Sequence, residues 1–417
     1  MEHEEILHRC FRCGYCKLPG NYVDINCPAY LAFRFETYAP GGRMWLLRAW
    51  LDNKITAGSR FAEIMFACAT CGNCVEHCAF PEFKDRLLLV FTAGKEALLD
   101  AGLAPPAVRD YLTKLQNYGN AYGKSVKKSG AWAEGLDLPT YSDQDYLLFV
   151  DDVGAYDPRG VEIARSVAVL LQKAGISFGI IPEGLRSDGN DVRAMGETAL
   201  FEDLAGKNIA ALNQFKVKKI ITLSPHSFNA LKKDYPALGG AYQVFHYSQV
   251  LAFAMGRLTF AENPAPVKIA FHDPCYLGRH NTDYVSGRMM LQSVPGISLV
   301  EMDRNRKNAL CCGGGGGNFF TDMLSGGDDT SSRARVREAA AAGAQILAVA
   351  CPQCAVMLED AAKVENLDRT LRIQELSEIV DGTGGVRIFQ LFVNTPPFVE
   401  YSPCKNRLIK WSDQNEL

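Results

Sequence analysis

The chain has 417 residues, 47% of them hydrophobic and 22% charged, with a formal net charge of −3. Such a chain is long enough for two or three globular domains, and its charge excludes the basic footprint of a nucleic-acid binder or a membrane-surface protein. The opening MEHEEILHRC lacks the apolar core of a secretory signal, and no run of 18 apolar residues reads as a membrane span, so a cytoplasmic protein is expected.

Fourteen cysteines set the sequence apart. Disulfide frameworks belong to small secreted chains, so clustered cysteines in a large chain without an export signal read as metal ligands. Thirteen fall into regular groups, and Cys404 stands alone in a C-terminal tail, where it reads as a buried or free thiol.

Residues 1–130 hold eight cysteines and little strand signal. Apolar residues recur at helical spacing over 44–51, 61–66 and 87–99, which predicts a small helical domain wrapped around metal centres. A stretch rich in Gly, Lys and Ser over 117–130 reads as a linker. From residue 145 the rhythm changes. Strands are predicted over 146–150, 176–181 and 219–223, with helices over 161–173, 197–215 and 226–233 between and after them. The same order returns with strands over 267–271, 298–302 and 345–350, and helices over 287–292, 333–342 and from 354 onward. This alternation predicts α/β layers with largely parallel sheets, making the whole an α+β multidomain chain.

The second α/β unit places Cys275, Cys311-Cys312 and Cys351-Pro352-Gln353-Cys354 at spacings that the first matches with Asp152, Ser187-Asp188-Gly189 and Ser224-Pro225-His226-Ser227. We read a duplicated unit whose first copy, over 145–262, has no thiols and whose second, over 263–384, has five. Residues 385–417 form a tail. In the first copy the oxygen ligands have the chemistry of a hard-cation site, but no acidic motif surrounds them, and a vestigial pocket is the favoured reading.

The N-terminal cysteines form two triplets, Cys10, Cys13, Cys16 and Cys68, Cys71, Cys74, each with a glycine inside the run. Three converging thiolates suit three corners of an iron–sulfur cube, whereas zinc prefers tetrahedral sites built from paired cysteines. In two-cluster ferredoxins the fourth cysteine of each motif serves the other cluster. The crossed assignment is therefore Cys10, Cys13, Cys16 with Cys78, and Cys68, Cys71, Cys74 with Cys27. The longer gap between Cys16 and Cys27 leaves the donor of the fourth ligand open. Phe11, Tyr15, Phe33 and Phe35 read as packing around the clusters, and His77 as a surface or neighbouring residue rather than a ligand.

In the second unit the cysteines are expected at the carboxyl ends of parallel strands, where α/β sheets bind ligands. Five glycines, Gly313 to Gly317, follow Cys311-Cys312. They read either as a flexible linker or, as we favour, as backbone N–H groups approaching an anionic cluster, with Gly313, Gly314 and Gly315 nearest. His272 and His280 flank Cys275 as candidate proton or hydrogen-bond donors, with a structural role equally open. No catalytic residue is assigned.

HDPCYLGRHN, the CCG and CPQC together resemble the CCG-domain family, which includes heterodisulfide reductase catalytic subunits, the glycolate oxidase iron–sulfur subunit, and anaerobic electron-transfer subunits such as those associated with benzoyl-CoA reductase. The resemblance covers nearly the whole chain. It implies one noncubane four-iron cluster on Cys275, Cys311, Cys312, Cys351 and Cys354, with two [4Fe-4S] cubanes upstream. No GxGxxG or Walker loop is present, so electrons enter and leave through partners. The resemblance implies a flavoprotein, of the electron-transfer-flavoprotein or bifurcating type, and a second oxidoreductase or quinone-linked subunit at the membrane. The alternative is a thiol–disulfide reductase that cleaves its substrate at the C-terminal cluster. A zinc scaffold without redox activity is a third reading.

Overall fold

In the computed structural model, residues 4–260, 266–325 and 329–381 are described. Cys404, the tail over 385–417 and the expected boundary at 262/263 lie outside them.

The N-terminal region is helical, with its principal helices at Pro28–Phe33, Pro40–Leu51, Ser59–Phe66, Leu87–Asp100 and Pro106–Tyr118. Proline opens three of these, where its missing N–H costs no hydrogen bond. Two four-stranded sheets follow. The first holds β1 (Tyr146–Phe149), β2 (Phe178–Gly179), β3 (Lys219–Thr222) and β4 (Gln243–His246), in the order β2-β1-β3-β4. The second holds β5 (Val267–Phe271), β6 (Ile297–Val300), β7 (Ile346–Val349) and β8 (Arg372–Glu375), in the order β6-β5-β7-β8. Every strand pairing in these two sheets is parallel, as the alternation of strands and helices predicts.

Register repeats along with order. Leu148 pairs with Ile221 in the first sheet as Phe271 pairs with Ala348 in the second. Four residues beyond Leu148 and Phe271 come Asp152 and Cys275; three beyond Ile221 and Ala348 come Ser224 and Cys351.

The first sheet is buried on both faces, which explains its near-continuous apolar strands. Leu147, Phe149 and Ile220 pack with Phe66, Phe91 and Val108 of the N-terminal helices. Leu148 and Ile221 share a core with Ile269, Phe271 and Leu347 of the second sheet. The two units and the helical region are therefore one packed body.

Several expected elements need correction. The stretch over 117–130 is not a loose linker. Its first two residues end the Pro106–Tyr118 helix, the Asn120 side chain bonds the Tyr118 and Lys124 carbonyls, and Ala121 N–H donates to Asp152 at 2.9 Å. The strand expected over 176–181 shrinks to Phe178–Gly179, with a single bridge at Ile180 beside it. The helix expected over 226–233 is Pro225–Asn229 followed by a π turn. The helix expected from 354 starts at Pro352, because proline fits the first helical turn. Phe35 is 64% exposed rather than packed, whereas Phe11, though 73% exposed, lines the Cys10–Cys16 cavity with its ring 5.3 Å from Phe80.

Candidate metal centres

The two cysteine triplets have the same backbone. Arg12 and Thr70, each preceding the middle cysteine, sit in the left-handed region at φ 53° and 46°, and Gly14 and Gly72, each following it, lie at 86° and 75°. Alternating helical hands turn successive N–H groups and thiols inward, a concavity suited to an anionic group. Each loop lines a cavity. Cys10, Cys13, Cys16 and Cys78 border one. Cys27, Cys68, Cys71 and Cys74 border another, together with Cys16, which reaches both.

Burial pushes Cys16 up to about 12 and Cys27 up to about 11, so thiolates at these sites require compensating positive charge. The protein supplies part of it. Arg43 is fully buried and lines the second cavity; its Nε donates to the Ile64 carbonyl at 2.9 Å, and one Nη has no partner. Lys95, also fully buried, donates to the Ala194 carbonyl at 3.0 Å. A buried guanidinium with an unused donor fits a cavity that holds an anionic iron–sulfur group.

The second α/β unit brings its five thiols together at three strand ends. Cys275 follows β5, Cys311 and Cys312 lie in the loop after β6, and Cys351 comes just after β7, preceding the Pro352–Val364 helix that carries Cys354. All five are buried. Cys312 Sγ lies 3.3 Å from Cys354 Sγ, and Cys311 Sγ lies 3.7 Å from Cys275 Sγ. Burial raises the Cys351 thiol, but hydrogen bonds from Cys354 and His226 outweigh it and bring the group down to about 6.

His272 has a defined tautomer. Arg335 Nε donates to its Nδ1 at 3.2 Å, so the neutral ring carries its proton on Nε2, an atom that finds no partner. A ring nitrogen of His272 lies within 4.8 Å of the Cys312 and Cys354 sulfurs. That arrangement makes His272 an N–H donor toward sulfur rather than a metal ligand, and it too fits a sulfide-bearing group. His280 donates from Nε2 to the Thr70 carbonyl at 2.8 Å, and burial lowers it to about 3, so it is neutral.

The glycine run has a second role that its sequence did not reveal. Gly313 N–H donates to Cys311 Sγ at 3.3 Å, and a Cβ on Gly314 would lie 3.8 Å from Cys312 Sγ. A Cβ on Gly315 or Gly316 would instead lie 2.6 Å from the Ala69 carbonyl oxygen or 2.5 Å from that of Cys68. The run is therefore a seam where the C-terminal site meets the second N-terminal loop, not a flexible linker. Tyr276 Oη bonds Thr70 Oγ1 at 2.8 Å across the same seam, and the Cys71 and Cys311 thiols lie within hydrogen-bonding reach. Arg279 fills the gap, donating to the Cys71 and Ala309 carbonyls at 2.7 and 2.5 Å with one Nη unpartnered.

Sequence reasoning missed these cations. Arg279 lies within the HDPCYLGRHN motif, so its position beside Cys275 was a usable signal. Arg43 and Lys95 carry none, because a cation on a helix reads as solvated. His77 is half-buried and stands apart from the thiol-lined cavities.

In the thiol-free unit the polar side chains bond one another. Asp188 accepts from Ser227 Oγ at 2.6 Å and Asn190 N–H at 2.7 Å, and Ser224 Oγ accepts from His226 N–H at 3.1 Å. Burial raises Asp151 to about 7, with Asp188 adding to the shift. Among the described residues, the only group of three or more His, Cys, Asp or Glu atoms converging as a metal site is His272, Cys312 and Cys354.

Twin cysteine loops joined to a five-thiol site at parallel strand ends define a multi-cluster iron–sulfur protein. Residues 6–80 match the 4Fe-4S dicluster domain and residues 269–359 the cysteine-rich CCG domain. The chain is 33% identical over 330 residues to the "Probable iron-sulfur-binding oxidoreductase FadF" of Bacillus subtilis, which covers 76% of this chain and 46% of that protein. It is 27% identical to the "EtfAB:quinone oxidoreductase" of Syntrophomonas wolfei, with 76% and 46% covered. It is also 27% identical to one subunit of the dihydromethanophenazine:CoB--CoM heterodisulfide reductase of Methanosarcina barkeri, with 90% and 93% covered. The chain thus spans about half the length of the first two relatives and nearly all of the third. It belongs to the CCG-domain iron–sulfur oxidoreductase family with a 4Fe-4S dicluster domain. The dicluster domain implies two cubane clusters, and the CCG domain a further cluster. No helix among the described residues is long and apolar enough to cross a membrane.

Proposed function

We propose that the chain relays electrons between a flavoprotein and a further acceptor, using two [4Fe-4S] cubanes and one noncubane cluster. When bound, these groups supply the one-electron carriers. Cys10, Cys13, Cys16 and Cys78 hold the first cubane, and Cys27, Cys68, Cys71 and Cys74 the second. Cys275, Cys311, Cys312, Cys351 and Cys354 hold the noncubane cluster, with Gly313 and His272 donating to sulfur. The units are a dicluster domain over 1–130, a thiol-free CCG unit over 145–262 and an intact one over 263–384. The matched strand order and register support that duplication.

One observation carries the reading: the three sites form an unbroken row. Cys16 borders both N-terminal cavities, and the Cys71 loop of the second meets the C-terminal site at the Gly315-Gly316 seam and through Arg279, which donates to the Cys71 and Ala309 carbonyls. Such a row is the arrangement of a relay. The name of the Syntrophomonas relative supports an electron-transfer flavoprotein on one side and a quinone-linked partner on the other.

A second reading, heterodisulfide or thiol–disulfide reduction at the CCG site, is favoured by coverage of nearly the whole Methanosarcina relative. The absence of thiols at the matching positions of the first unit weighs against it. Anaerobic stopped-flow mixing with a reduced electron-transfer flavoprotein separates the two. The relay reading expects cluster bleaching within a catalytic turnover time and no steady-state disulfide reduction from a dye donor. Absent bleaching with active disulfide reduction would reverse the choice.

A further inference from the structure

The thiol-free unit reaches into the site of its neighbour. Ser224-Pro225-His226-Ser227 follows β3 as Cys351-Pro352-Gln353-Cys354 follows β7, which makes His226 and Gln353 counterparts. Both turn to the same carboxylate. His226 Nδ1 lies 3.3 Å from Asp191 Oδ1, and Gln353 Nε2 lies 3.4 Å from Asp191 Oδ2. All three side chains are buried, and the Tyr276 ring packs 4.4 Å from the imidazole. With Asp191 Oδ1 and Asn190 Nδ2 each 3.3 Å from its Nδ1 and Tyr276 beside it, the imidazole lies within hydrogen-bonding reach of the Cys351 thiol.

We propose that the thiol-free unit acts as a polar half of the C-terminal cluster site, with His226, positioned by Asp191, donating a hydrogen bond to Cys351 and raising the reduction potential of the bound group. This inference rests on the reading that the five thiols hold iron. A hydrogen bond to a ligand sulfur stabilises the more negative, reduced state, and does so strongly where water is excluded. It also gives the first unit a role that needs no thiol. Its place in the row is filled by one imidazole and one carboxylate.

The test is an EPR-monitored redox titration of the full chain, purified anaerobically, as wild type, His226→Leu and His226→Gln. The inference expects the midpoint of the third signal to move negative in His226→Leu while both cubane midpoints stay put. It expects His226→Gln, which keeps a donor, to return toward wild type. Proton ENDOR after D2O exchange gives an independent readout: an exchangeable coupling on the third signal should weaken in His226→Leu and persist in His226→Gln. A third signal lost in Leu but kept in Gln also supports the assignment; loss in both overturns it. An unmoved midpoint with unchanged exchangeable coupling overturns this inference alone. A wild type without any third signal sinks the cluster reading and this inference together.

Discussion

Glycine at position 316 meets two constraints at once. Its φ is +62°, and a Cβ there would lie 2.5 Å from the Cys68 carbonyl oxygen, a backbone atom that cannot swing away. Gly316→Ala is expected to lower stability by about 2–4 kcal/mol in chemical denaturation, from left-handed strain plus overpacking. Gly343→Ala, with φ +74° and open space around it, should lose only about 1–2 kcal/mol. Equal losses would show that the seam tolerates the extra atom. Glu375 sets a pH dependence of its own. It is fully buried beside the Tyr247 hydroxyl and the Ser377 N–H, and burial raises it to about 8. A raised folded value means the native state holds the proton. Its contribution is therefore complete below the unfolded carboxyl range near 4.5, falls as pH rises, and is gone above about 8. At about 1.4 kcal/mol per pKa unit the effect amounts to a few kcal/mol at most. Urea midpoints at pH 5 and 8.5 should differ less in Glu375→Gln than in the wild type.

At the scale of elements, Arg159 ties the two α/β units together. From the Pro158–Lys173 helix it reaches Glu359 at 2.6 Å on the Pro352–Val364 helix and makes a forked pair with Glu378 on the Leu376–Val380 helix. Its side chain is 20% exposed, so Arg159→Ala should lose about 2–3 kcal/mol, below the figure for a fully buried pair. A double-mutant cycle with Glu378→Ala checks that coupling, which should exceed about 1 kcal/mol. Legibility in the sequence followed burial. Strands β1, β3, β5 and β7 read clearly because they are apolar on both faces. Edge strands β4 (QVFH) and β8 (RIQE) alternate burial and polarity over only four residues, too short for the period to declare itself. The cysteine spacings were legible because ligand chemistry fixes them locally. The seam between Gly315-Gly316 and the Cys68–Thr70 backbone was not, because a close approach across more than 200 residues leaves only the glycines as its trace. The roles of His226 and Asp191 were hidden for the same reason: each depends on a neighbour from the other unit.

Across the whole molecule, three thiol-lined sites lie in sequence from the partly exposed Cys10–Cys16 loop to the buried C-terminal site. Fully buried Arg43 and Lys95 stand by the second cavity, and half-buried Arg279 by the seam to the third site. This arrangement explains why the helical region and both sheets pack as one body: the contacts that join the sites also join the folds. The central claim is that this single chain gathers iron at three places, and anaerobic iron analysis with EPR tests it most directly. The account predicts about twelve irons per chain and three reducible signals, falling to about eight irons and two cubane signals in Cys312→Ala. A colourless, zinc-filled protein, or a wild type with eight irons that Cys312→Ala leaves unchanged, would contradict it.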